Sequence, residues 1–217
     1  MKYKIVLLLI LLLMIVGCEK KKDDTSTDTV VGKISEDLDY VLTDVYNEYT
    51  LSNEDKYTAQ ILSINLDTVE LSNLSMTLKN NIYLSTKGFK YNENNEVING
   101  DIITYKYYES DTYISIIEYN TDYFNETYGT IVNKVYVINK LYGDIYDNND
   151  LLELYDISEE DIYDKVRNSK VEDADYVVMY IKNNGYLLYI NDKDELVLLY
   201  DYVSDDKELK KELILVD

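Results

Sequence analysis

The chain has no histidine, no proline and no tryptophan, and in 217 residues it uses cysteine once and arginine once, at Cys18 and Arg167. Without histidine there is no Ser-His-Asp triad, no Cys-His pair and no histidine-containing zinc site. The side chain most easily tuned near neutral pH is missing. A single cysteine cannot close a disulfide within the chain, so stability must come from packing. The seven glycines are scattered; no G-x-G-x-x-G run and no P-loop occurs, which removes the standard phosphate cradles. Cationic residues number 21 against 42 acidic ones, a formal charge of −21. That balance repels a phosphate backbone and excludes nucleic acid as an expected partner. What is abundant is tyrosine, 25 residues against 2 phenylalanines. Tyrosine therefore takes the usual aromatic role in the core, and because each buried hydroxyl seeks a partner, the sheet surfaces should be amphipathic.

The lone cysteine ends the most organised stretch of the sequence. Lys2 and Lys4 form a basic front, residues 5–16 an unbroken apolar run, and Ile15-Val16-Gly17-Cys18 a short approach to the thiol. This is the layout of an export signal. Twelve apolar residues at about 1.5 Å each reach roughly 18 Å, short of the ~30 Å hydrocarbon core that a plain anchor must cross. The segment resembles a bacterial lipoprotein signal peptide, with Ile15-Val16-Gly17-Cys18 as its lipobox. The resemblance covers residues 1–18 and implies cleavage between Gly17 and Cys18, with diacylglycerol on the Cys18 sulfur. Residues 1–17 are then the signal and 18–33 a lipidated cysteine with a flexible polar tether. Residues 34–217 form a single α+β domain. Loss of Lys2 and Lys4 leaves 19 cationic against 42 acidic residues, a mature charge of −23. The triplet Lys20-Lys21-Lys22 lies next to the bilayer, where three cations could settle on anionic headgroups, and reads first as the solvated start of the tether.

In the domain, Ile34, Leu38, Val41, Leu42, Val45 and Tyr49 recur at three- and four-residue steps behind Ser35. That spacing predicts an amphipathic helix of about four turns. Ser52 and Asp55 have the spacing of a capping box, predicting a second helix with Tyr57, Ile61 and Ile64 on one face. Residues 67–84 fit either period, and no element is assigned to them. After Thr86 the pattern is mostly strand, with Asn99-Gly100 as a two-residue turn signal. Residues 102–108 and 112–119 make a hairpin, 120–125 a loop, and 127–140 a long strand apolar on both sides, as expected beneath a helix. In that strand Ile131, Val135 and Val137 share one side. Ser158 and the acidic turn after it start a helix that ends near Asn168. Residues 176–182, 186–190 and 196–203 read as strands, and residues 205–217 as a charged turn followed by an edge strand. A shared Tyr/Ile rhythm in 105–116 and 179–190 raises the question of an internal duplication. The fold expected is α+β, with N-terminal helices packed on a mainly antiparallel β-sheet.

Only carboxylate chemistry remains. Glu118 stands among Ile and Tyr, where a paired glycosidase-type acid would stand, but alternation reads it as a solvent-facing strand residue. Tyr-rich strands offer surfaces for sugars or peptides, although core packing accounts for them equally well. Asp144, Asp147, Asn148, Asn149 and Asp150 put five oxygen-bearing side chains in seven positions, the ligand type calcium takes. The loop lacks the EF-hand D-x-D-x-D-G spacing and its final Glu, so it reads as solvated; no metal, cofactor or catalytic residue is assigned. The expectation is a membrane-anchored extracytoplasmic lipoprotein, tied to membrane lipid through Cys18. It acts as a noncatalytic binding or accessory module of the envelope for a protein, peptide or glycan. An assembly role comes second, and a carboxylate hydrolase third.

Overall fold

The computed structural model of the chain describes residues 39–124, 127–171, 173–204 and 207–216. The expected signal, the expected tether and the start of the expected first helix, with Ile34, Ser35 and Leu38, lie outside them. The fold is α+β with antiparallel sheets. It begins with strands where helices are expected: β1 (Val41–Thr50) and β2 (Lys56–Ile64) form an antiparallel hairpin. The three- and four-residue spacing in this region is overridden by its content of Val, Thr, Ile and Tyr, side chains that fit a pleated surface better than a helix. The apparent capping box is a turn: Asn53 Oδ1 accepts from the Asp55 N–H at 3.1 Å, and Glu54 takes a positive φ of 71°.

The first helix is α1 (Val69–Lys87), in the segment that fitted either period. Thr68 caps it by accepting from the Leu71 N–H at 3.2 Å. Leu71, Leu74, Leu78 and Ile82 then fall on one buried face, each burial contributing about 1.5–3 kcal/mol. A central sheet follows, ordered β3 (Lys90–Tyr91), β4 (Val97–Glu109), β5 (Tyr113–Phe124), β6 (Thr127–Asn139) and β7 (Ile145–Tyr146). The 102–108 and 112–119 hairpin is β4–β5, with Tyr105 opposite Glu118 and Ile103 opposite Asn120. The expected loop at 120–125 is instead largely strand, since β5 runs on to Phe124.

Two departures in this sheet shape its surface. Asn99-Gly100 is not a turn but lies inside β4, because a Cβ on Gly100 would come within 2.4 Å of the Phe89 ring. Here glycine serves close approach. Between β5 and β6 the register slips, with Glu118 opposite Lys134 but Tyr119 opposite Val132. This bulge puts Ile131 on the face of Asn120, not on that of Val135 and Val137.

The two faces of the sheet carry different layers. Ile114, Ile116, Tyr136 and Ile138 pack with α1 and the hairpin residues Leu62 and Ile64. Ile117 and Val137 join a second core, built from the C-terminal elements. These are α2 (Asn148–Leu154), α3 (Glu159–Asn168), α4 (Ala174–Asn184) and a sheet ordered β10 (Lys207–Val216), β9 (Leu196–Ser204) and β8 (Leu187–Ile190). Helix α3 follows expectation, capped reciprocally by Ser158 and Asp161. The 176–182 segment is helical, not extended: Val177, Val178 and Ile181 form one buried face of α4, which stops at Gly185 with φ of +85°. A β-branched run does not decide the matter when tertiary burial favours the helical face.

The outer edge of β8 is closed by side chains. Asn148 Nδ2 donates to the Tyr186 carbonyl at 2.8 Å while Asn148 Oδ1 accepts from the Leu188 N–H at 3.1 Å. Ser115, buried in β5, accepts from the Ile190 N–H at 3.0 Å. These contacts pair groups that an exposed edge would leave open.

Candidate binding site

The C-terminal half of α1 does not lie flush on the sheet. Between Asn81, Leu84, Ser85 and Gly88 on the helix side, and Asn99 to Asp101, Ile103 and Asn120 on β4 and β5, is a cleft of about 350 Å³. Its wall is fixed by Ser85, whose hydroxyl donates to the Asp101 carbonyl, and by bare Gly100 against Phe89. Phe89 is in turn held edge-on by Tyr49, ring centroids 5.0 Å apart.

Behind the cleft stands Glu118. It is not solvent-facing: it is 1% exposed, on the α1 side of β5. Alternation along β5 is correct, but α1 covers the side that the sequence left open. Asn81 Nδ2 donates to Glu118 Oε2 at 2.8 Å. The Tyr105 hydroxyl, which donates to the Leu78 carbonyl at 2.9 Å, lies beside the same carboxylate. Burial, and then the charge of Glu118, pushes the Tyr105 phenol well above its ordinary value, and the same two causes raise Tyr136. Lys134, opposite Glu118 in the ladder, holds its ammonium 4.8 Å from the Tyr136 ring.

The polar lining carries donors as well as acceptors: Asn81 Nδ2 is committed to Glu118, while Asn99 and Asn120 each bring an amide with both. Asn120 Oδ1 is buried and has no hydrogen-bond partner among the described protein groups. Asp101 adds an exposed carboxylate, and among the described residues no Lys or Arg lines the cleft. Sequence reasoning named Glu118 but missed Asn81, Asp101 and Asn120. The residue pairs across β4 and β5 were within reach of the hairpin register; the helix above them was not.

A second, more open cleft of about 480 Å³ lies by Glu109, Asp111, Lys140, Asp192 and Asp194. Lys140 is largely buried there but fully engaged. It pairs with Glu109 at 2.9 Å, donates to the Ser110 carbonyl and sits 4.4 Å over the Tyr40 ring. It pins the β4–β5 turn to the end of β6.

The Asp/Asn loop is occupied internally. Asp147 caps α2 in a reciprocal box with Asp150, and Asn148 holds the β8 edge. Among the described residues no group of three or more potential ligands from His, Cys, Asp and Glu converges as a metal site. The lone Arg167 bonds Asp164 within α3 at 2.8 Å. Cys18 lies outside the described residues.

The fold and cleft together define an α+β protein with a polar cleft between a helix and an antiparallel sheet. No family model and no curated protein matches the chain.

Proposed function

We propose that the protein is an extracytoplasmic lipoprotein, anchored in the cell membrane through Cys18, that works as a noncatalytic binding module with the α1–β4–β5 cleft as its site. The observation that carries the binding role is the cleft of about 350 Å³ itself, lined by the polar side chains of Asn81, Ser85, Asn99, Asp101 and Asn120 beside apolar Leu84 and Ile103. Hydrolysis by paired carboxylates needs two acids flanking the bond, roughly 5–9.5 Å apart. Asp101 is the one acid among the described residues lining this cleft, which weighs toward binding. The anchor rests on the basic, apolar and lipobox regions of residues 1–18. Metabolic labelling with a fatty acid tests it: the wild type takes up label and Cys18→Ser does not. Equal labelling of both removes the lipid anchor from the proposal.

A further inference from the structure

We infer that the end of the domain where the chain enters it is a membrane-contact face, at which Val69, Leu141 and Tyr142 rest in the zwitterionic lipid interface of the bilayer that holds the anchor. This rests on the lipid anchor proposed above and adds the surface by which the domain meets the same membrane. Asp39 and Tyr40 are fixed at this end. Asn65 donates its N–H to the Tyr40 carbonyl at 2.8 Å and its Nδ2 to the Asp39 carbonyl at 3.4 Å, and the Lys140 ammonium sits 4.4 Å from the Tyr40 ring. Lys140 leads into the turn between β6 and β7. Gly143, at φ of +76°, packs that turn against the start of α1, where a Cβ would come within 2.8 Å of Thr68. Asn139 Oδ1 accepts from the Leu141 and Tyr142 N–H groups at 2.9 and 3.1 Å, so the turn is held in shape by its own backbone. Its tip presents two large apolar side chains, 48% and 58% exposed, beside the α1 start, where Val69 is 80% exposed. Turn tips ordinarily carry Gly, Asn, Asp or Ser; Leu-Tyr there leaves apolar area in water and adds nothing to the core.

The chain's connectivity says what covers this face. Cys18 and Asp39 are 21 positions apart, about 25 Å as a coil and roughly 70 Å at full stretch. A lipidated Cys18 keeps this end of the domain near the bilayer at an effective concentration of order mM, where a contact too weak to hold a free protein becomes occupied. Leucine and valine supply apolar area, and tyrosine a ring that suits headgroup level, with its body in the apolar layer and its hydroxyl in water. The charges around the face select the lipid. Asp67, Glu70 and Asp144 are exposed beside it, whereas the Lys140 ammonium is turned inward onto Glu109, so anionic headgroups are repelled and zwitterionic ones accepted. A second copy would bring the same acidic rim against itself. Seated in this way, α1 carries its C-terminal half, with the cleft, up to about 20 Å from the lipid.

The test uses protein expressed from the full chain in a lipidating bacterial host and reconstituted into phosphatidylcholine vesicles, with flotation as the check on anchoring. The chain has no tryptophan, so Tyr142→Trp and Tyr83→Trp each install a single fluorescent reporter. Tyr83 is 47% exposed on the same helix, about 21 Å along it from Val69. Phosphatidylcholine brominated high on one acyl chain quenches tryptophan lodged in the interface. Quenching of about twofold or more is expected for the Tyr142→Trp protein and none for Tyr83→Trp. Adding Val69→Ser and Leu141→Ser, both at exposed positions, should remove about half of that quenching or more. Replacing part of the lipid with phosphatidylglycerol at low salt should also lower it, and Glu70→Gln with Asp144→Asn should restore it. Protein that floats with the vesicles while the Tyr142→Trp reporter stays unquenched overturns the inference and leaves the anchor standing. Equal quenching at both positions overturns it as well, as does a blue shift of the Tyr142→Trp emission without quenching, which would put a second copy on the face. Protein that does not float removes the anchor and the contact face together.

Discussion

Replacing Ser115 with alanine tests how the central sheet and the C-terminal sheet are joined. Ser115 is fully buried in β5, and its Oγ accepts the Ile190 N–H at 3.0 Å from the free edge of β8. Alanine removes one oxygen and opens little volume, so the cavity contribution is small. The dominant cost is a buried backbone N–H left without a partner, about 1–3 kcal/mol. For a domain of this size, each kcal/mol lowers Tm by about 2–4 °C, so the expected drop is about 2–12 °C. Ser115→Val should cost a further ~1–3 kcal/mol by crowding a site where two backbones approach closely. Hydrogen exchange separates this cause from general loosening. In Ser115→Ala the Ile190 amide should lose protection first, while the Leu188 amide, held by Asn148 Oδ1 at 3.1 Å, follows only global stability. A Tm equal to wild type, with the Ile190 amide still protected, would refute the assignment of Ser115 as the cap of the β8 edge.

Leu78, fully buried on α1, should lose about 2–5 kcal/mol on truncation to alanine, whereas Met76 on the exposed side of the same helix should stay within about 0.5 kcal/mol; urea unfolding of both variants checks the contrast. The start of α3 should respond to acid. Ser158 holds the Asp161 carboxyl below its ordinary range through its hydroxyl and then its N–H, so Asp161 stabilises the fold above the unfolded carboxylate pKa and loses that contribution as pH falls through the lower folded value. Ser158→Ala should therefore destabilise at pH 7, with a gap from wild type that narrows below pH ~4; a gap constant with pH would count against the coupling.

The β4–β5 hairpin, β6, α3 and most of the C-terminal strand pairing were legible because local signals agreed with the final fold. In β5, Ile114 and Ile116 on one side and Tyr113, Ile117 and Tyr119 on the other leave one register that buries both faces correctly. Failures came where two levels of information conflicted. Residues 41–64 carry helical spacing on strand-forming side chains, and 176–182 carry strand-forming side chains on a helical face. In both places tertiary burial decides. Gly100 illustrates a different limit: Asn-Gly is a strong turn signal, yet the need for glycine is set by Phe89, eleven residues earlier, whose ring fills the space of a Cβ. The site was legible only in part. Glu118 was marked by its chemistry, but its burial depends on α1, which the sequence left unassigned, and Asn120 became notable only once its oxygen was seen to lack a partner.

The duplication question has a physical answer in other residues than the Tyr/Ile rhythm, since Met179 is helical and cannot match a strand position. The true correspondence is the unit of helix, glycine and three-stranded meander: α1, Gly88 and β3–β4–β5, then α4, Gly185 and β8–β9–β10. The turn inside each is built alike. Asn92 Oδ1 accepts the Asn94 and Glu96 N–H groups at 3.0 and 2.9 Å, and its Nδ2 bonds Glu96 at 2.7 Å. Asn191 Oδ1 accepts from Lys193 and Glu195 at 2.9 and 3.0 Å, with Nδ2 on Glu195 at 2.6 Å. Asn95 and Asp194, residue types that tolerate the left-handed region, hold φ of 64° and 60° at the same turn position. What differs is cover. In the second unit Leu196 to Tyr200 are all buried, so both faces of this part of β9 are closed. In the first, the C-terminal half of α1 stands off β4 and β5, leaving Asp101, Ile103 and Asn120 beneath its last turns. The same helix-and-meander plan thus gives a closed core where the strands are covered on both faces, and a cleft where the helix stands off them.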